Sequence, residues 1–167
     1  MGTSPVGAAE PPLDVDLKRL LAALQRAGFK VEFRHPSVKT AYGLFQAKTR
    51  TLSISPLAFE LGIGRQVFLH EAVHAAQSCP SGVLSPIGWQ HSLPPVVERE
   101  ISGILYNAYH HKNKALEREA FMAQGQAQGV AIVIQALQQR CGQRRLRGHD
   151  ASGRSRRWAL HAQVGYG

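Results

Sequence analysis

Val67-Phe68-Leu69-His70-Glu71-Ala72-Val73-His74-Ala75-Ala76-Gln77 sets His-Glu-x-x-His inside an apolar, alanine-rich run. No proline or glycine interrupts residues 65–78, so the spacing predicts one buried helix there. Residues i and i+4 share a helix face, which stacks His70 and His74 over a single point in space. Two converging imidazoles can fill two corners of a tetrahedral Zn²⁺ site, and Glu71 flanks the corner left for water. The stretch is read as a metal-bearing helix about which the chain is folded.

Working outward toward the N-terminus, residues 13–27 carry apolar positions 13, 17, 20, 21 and 24, a helical stripe closed by Gly28. Phe29-Lys30-Val31-Glu32-Phe33-Arg34 alternates apolar and polar, the period of a half-buried strand. Residues 42–47 and 51–55 flank a polar turn and form a hairpin that Pro56 ends. Residues 57–64 are expected to be turn-like. Beyond the motif, residues 80–95 are rich in Gly, Pro and Ser and predict a long loop, a rim or lid. Residues 96–109 have helical spacing, residues 110–114 form a polar junction, and residues 115–140 are helical with weak spots at Gly125 and Gly129. The fold class expected is α+β: a short antiparallel sheet, strand plus hairpin, packed on the motif helix and on further C-terminal helices.

A chain of 167 residues suits one domain. We divide it into a flexible N-terminus (1–12), a folded domain (13–142) and a basic tail (143–167) expected to be disordered. Six arginines (144, 145, 147, 154, 156 and 157) stand in that tail against Asp150, so it holds +5 of the chain's net +9. It could add weak, salt-sensitive affinity for an anionic partner, though no nucleic-acid-binding motif accompanies it. No apolar run approaches the roughly 18–20 residues of a membrane span. The start lacks a basic segment followed by an apolar one, so no signal peptide is read and a cytoplasmic location is expected. Cys79 and Cys141 are then expected to be reduced thiols, although both follow helices closely enough for a disulfide to form.

Two histidines need a third protein ligand. A histidine six residues beyond His74 would complete the metzincin pattern, but Pro80 stands there and excludes that class. Glutamates from a later helix remain: Glu98, Glu100, Glu117 and Glu119. The stripe Leu116, Ala120, Ala123, Ala127 and Val130 passes nearer Glu119 than Glu117, which leaves both neighbours open. Gln77, one turn after His74, is placed to hydrogen-bond a ligand histidine.

His70-Glu71-Ala72-Val73-His74 followed by Glu117-Arg118-Glu119-Ala120 resembles the zincin-like gluzincin arrangement, in particular small soluble "minigluzincin" peptidases. The resemblance spans roughly residues 29–124. It implies a zinc metallopeptidase with His70, His74 and Glu117 as metal ligands and Glu71 as general base, acting on a peptide or protein substrate. It also implies an acid after Ala120 to orient a ligand histidine, where this chain has Phe121. Tyr109, His110 and His111 stand late enough to serve as an oxyanion-stabilising group of the kind such enzymes carry. Two other classes stay open on the sequence: a non-catalytic zincin-like binding or regulatory module, and a basic protein that associates with nucleic acid.

Overall fold

The computed structural model describes residues 11–108 and 114–142. The tail 143–167, residues 1–10 and the junction 109–113 with Tyr109, His110 and His111 lie outside the described residues. Within them the chain is α+β, with six helices and a three-stranded sheet.

Helix α1 (Val15–Arg26) starts two residues later than its apolar stripe because Asp14 caps it, accepting from the Leu17 amide at 2.7 Å. It ends in a Schellman motif. Gly28 adopts φ +84°, its N–H bonds Gln25 O, and the Phe29 N–H reaches back to Leu24 O. The Arg50 guanidinium adds bonds to the carbonyls of Ala27 and Gly28 while lying 3.9 Å over the Phe29 ring. The turn of the hairpin thereby closes the end of the first helix.

Strands β1 (Lys30–Phe33), β2 (Gly43–Gln46) and β3 (Thr51–Ile54) lie in the order β1-β3-β2. The hairpin β2–β3 is antiparallel, but β1 pairs with β3 in parallel, Lys30 opposite Thr51 and Phe33 opposite Ile54. The expected antiparallel sheet is therefore corrected to a mixed one. The central place goes to the strand that can be buried throughout. Thr51, Leu52, Ser53 and Ile54 are all buried and uncharged, whereas β1 carries Lys30 and Glu32 and suits an edge. Residues 56–64 also differ from expectation: Pro56, at the first helical position, starts the short helix α2 (Pro56–Glu60), and Gly62 at φ +74° follows it.

Helix α3 (Gly64–Gln77) carries the motif and is the centre of the molecule, packed on β2, β3, α1, α2, α5 and α6. Phe68, Leu69, Ala72, Val73, Ala75 and Ala76 are all fully buried, which is why the run is apolar on every side rather than along one stripe. Beyond it come α4 (Pro95–Ala108), α5 (Lys114–Gln124) and α6 (Gly129–Cys141). The helical stretch expected over 115–140 breaks at its two glycines. At Gly129 any Cβ would run into the Ala123 carbonyl and the Leu69 side chain, so only glycine allows α6 to start this close to α3 and α5.

The C-terminal ends of α3 and α6 lie side by side, with the Cα atoms of Cys79 and Cys141 5.1 Å apart and the sulfurs bonded. This corrects the expectation of two reduced thiols; sequence distance hid a contact that the packing of α6 on α3 creates. No helix among the described residues is long and apolar enough to cross a membrane. The bond closes a ring across a sequence separation of 62, for which chain entropy gives about 4 kcal/mol. Replacing both cysteines by serine is expected to lower the thermal midpoint by on the order of 10 °C relative to the oxidised protein, measured by calorimetry.

Candidate metal centre

On α3, His70 and His74 face α5, and on α5 Glu117 faces them. His70 Nε2 lies 3.1 Å from His74 Nε2 and 3.1 Å from Glu117 Oε2, and His74 Nε2 lies 3.4 Å from the same oxygen. These three are the side chains among the described residues whose ligand atoms converge as a metal would require.

The two rings are turned by amides. Gln77 Oε1 is 2.7 Å from His74 Nδ1 and Gln124 Oε1 is 2.9 Å from His70 Nδ1. The orientation of the Gln77 amide is fixed independently. Its Nε2 donates to Leu116 O at 3.0 Å and to Glu119 Oε2 at 2.8 Å, so its oxygen faces the histidine. An oxygen there accepts, hence His74 Nδ1 carries the hydrogen and Nε2 offers a lone pair. His70 is held in the same sense by Gln124.

When both rings are neutral, two imidazole lone pairs and a carboxylate oxygen therefore converge with no donor among them. Such a trio calls for a cation. With bonds of about 2.0–2.1 Å, neighbouring ligand atoms on a zinc tetrahedron are separated by about 3.3–3.4 Å, close to the three distances found. One carboxylate and two neutral imidazoles are also donors that zinc accepts. The residues fit the ion.

The electrostatics of the metal-free protein express the same demand. Burial resists ionisation of Glu117, but the hydrogen bonds and charge of His70 and His74 outweigh it and hold the carboxyl down at about 2. Burial opposes a proton on His74, yet Glu117 beside it wins and the pKa rises.

Glu71 sits on the neighbouring face of α3, 8% exposed, and burial raises its pKa against the opposing pull of His70 and His74. It accepts a hydrogen bond from the Phe45 backbone of β2. That strand comes so close that a Cβ on Gly43 would stand 2.7 Å from Glu71 Cγ and Oε1 and from Val67 Cγ1. Gly43 is thus the residue that lets a sheet edge pass directly beside the carboxylate.

The other candidates are placed elsewhere. Glu119 is buried at 4% exposure but points away from the histidines, accepting from Gln77 Nε2 and from the backbone N–H groups of Ile87, Gly88 and Trp89. Glu98 pairs with Arg118, and Glu100 is exposed. Phe121, at the position where the resemblance implies an acid, packs its ring edge-on at 4.8 Å from His70. Gln124 is the functional side chain that the sequence reading missed. Its signal was its spacing: four and seven residues from Glu117, Phe121 and Gln124 lie on one face of α5.

Two outcomes follow from this geometry. Gly43→Ala is expected to cost about 1–3 kcal/mol in urea unfolding, because Glu71, Val67 or the strand must shift. For the pH dependence of the metal-free protein, His74 has a folded pKa above its unfolded 6.5. Its contribution is full below that value and lost as pH rises through the folded pKa. Stability of the apo form should fall on going from pH 6 to pH 9, and His74→Ala should flatten that decline in the same unfolding assay.

Compared with known proteins, the chain matches no protein-family model, no curated protein and no solved structure.

Proposed function

We propose that the protein is a zinc-dependent peptidase of the zincin-like, gluzincin type, with His70, His74 and Glu117 holding the ion and Glu71 as general base. The observation that carries this is the triangle of His70 Nε2, His74 Nε2 and Glu117 Oε2, all within 3.4 Å of one another, with a buried carboxylate next to it on the same helix.

Zinc bound there would polarise the scissile carbonyl and bring the pKa of water toward neutrality. The chain's own groups supply the rest. Glu71 takes the proton from the water that attacks the carbonyl carbon and delivers it to the departing amine nitrogen. Its burial raises its pKa, which suits a group that must both accept and return a proton near neutral pH. The Phe45 N–H and the close pass of Gly43 fix where the Glu71 carboxylate points. Among the described residues strand β2 pairs only with β3 and so lies at the sheet edge beside Glu71. An extended peptide could add to such an edge by backbone hydrogen bonds, which gives affinity with little demand on sequence.

The test has two arms. The purified protein should bind about one zinc, and His70→Ala, His74→Ala or Glu117→Ala should each weaken that binding at least about 100-fold by chelator competition. Glu71→Gln should keep the zinc and lose about 10²–10⁴ in the rate of cleaving a fluorogenic peptide library. Zinc-loaded wild type that cleaves nothing would leave a metal-binding module in place of an enzyme, and a Glu71→Gln variant that cleaves as well as wild type would overturn the mechanism with Glu71 as general base.

A further inference from the structure

Four hydrogen-bond donors converge on the Glu119 carboxylate. Oε2 accepts from Gln77 Nε2 at 2.8 Å and from the Ile87 N–H at 2.8 Å. Oε1 accepts from the Gly88 N–H at 2.8 Å and from the Trp89 N–H at 3.1 Å. The group is 4% exposed and Gln77 is fully buried, so water has little part in the arrangement. A carboxylate is the side chain that matches it, offering two oxygens and no donor.

The loop end of this cluster is tied down again from the other side. Arg140 donates to Pro86 O at 2.7 Å, to Ser85 O at 3.2 Å and to Cys79 O at 3.0 Å, and the Ser85 N–H bonds Gln77 O at 2.9 Å. The other end of the cluster is the metal centre, because the Gln77 amide that Glu119 grips on its nitrogen side presents its oxygen to His74 Nδ1.

We propose that Glu119 is a positioning residue for the metal centre: through Gln77 it sets the tautomer of His74, and the same carboxylate fixes the loop at residues 87–89. The proposal rests on the metal-binding part of the function proposed above. The coupling works through the direction of an amide. While Glu119 accepts from Gln77 Nε2, the Gln77 oxygen must face His74, and the imidazole must keep its hydrogen on Nδ1 with the Nε2 lone pair toward Glu117. An amide introduced at 119 cannot satisfy four donors, since its NH₂ opposes two of them whichever way it turns. If the NH₂ faces Gln77, the Gln77 side chain is driven to turn over and offers its own N–H to His74 Nδ1. That selects the imidazole tautomer with hydrogen on Nε2, which cannot bind a metal there.

The experiment compares wild type, Glu119→Gln and Gln77→Met. The last keeps side-chain length, leaves the three loop N–H bonds to Glu119 and cuts the relay at its middle. Two properties are read: zinc affinity by chelator competition, and the His74 tautomer in the metal-free protein from imidazole ¹⁵N shifts, at a pH where the ring is neutral. Wild type should show His74 with hydrogen on Nδ1. Both variants should show a substantial Nε2–H population and a zinc affinity lower by about 10–100-fold. The tautomer is a readout that loosening of the loop alone would not move. Folded variants with the wild-type tautomer and wild-type zinc affinity overturn the proposal, and Gln77→Met decides it where Glu119→Gln folds poorly. Wild type that binds no zinc while the variants still shift the tautomer would remove the proposed function and leave the relay standing.

Discussion

With both rings neutral, three hydrogen-bond acceptors meet at one point in this protein, and nothing among the described residues donates to them. His70 Nε2, His74 Nε2 and Glu117 Oε2 are within 3.4 Å of one another, where bare lone pairs repel unless a cation or proton lies between them. Much of the surrounding structure maintains this condition. Gln77 and Gln124 hold the hydrogens of both rings on the far nitrogens. Packing of α5 on α3 brings Glu117 up. The depressed Glu117 and raised His74 pKa values are the metal-free protein's answer to the same crowding.

That constraint explains why α3 is built as it is. A helix that packs on α5, on β2 and on α1 and α6 is buried at every position from Glu71 to Gln77. Its non-polar positions are filled by Phe68, Leu69 and Val73 where space exists, and by Ala72, Ala75 and Ala76 where neighbours come close. Glycines on the partners complete the fit: Gly43 admits β2 beside Glu71, and Gly129 admits the start of α6 beside Leu69. The disulfide between Cys79 and Cys141 then joins the two helix ends that this packing has already brought together.

What could be read in the sequence divides along a physical line. Local periodicity showed α1, the hairpin, the motif helix and its two histidines, because each depends on spacing within a few residues. The parallel partnership of β1 with β3 was hidden, since strand order is decided by which strand best bears burial on both sides. The disulfide and Gln124 were hidden for a related reason: both act across contacts between α6 or α5 and α3, between residues 62 and 54 positions apart. The acid that the family resemblance led one to look for at 121 is replaced by Phe121 against His70, while amides from two other positions turn the rings. Spacing puts Gln124 on the Glu117 face of α5, but which α3 side chain it meets depends on how the two helices pack.

Glu117 and Glu119 make the limit concrete. They are the same residue type, two apart on one helix, and both are largely buried, so neither composition nor hydrophobic periodicity separates them. Their surroundings do. Glu117 faces acceptors, and its oxygen is complete only with a positive charge in the gap. Glu119 faces four donors and is complete as it stands, with no lone pair left pointing at empty space. A buried carboxylate among donors holds structure, and one among acceptors implies a ligand. The hydrogen-bond sense of the neighbours, more than burial or helix face, separates a carboxylate that could hold a metal from a structural anchor, and these two glutamates stand at opposite ends of one chain of contacts through Gln77 and His74.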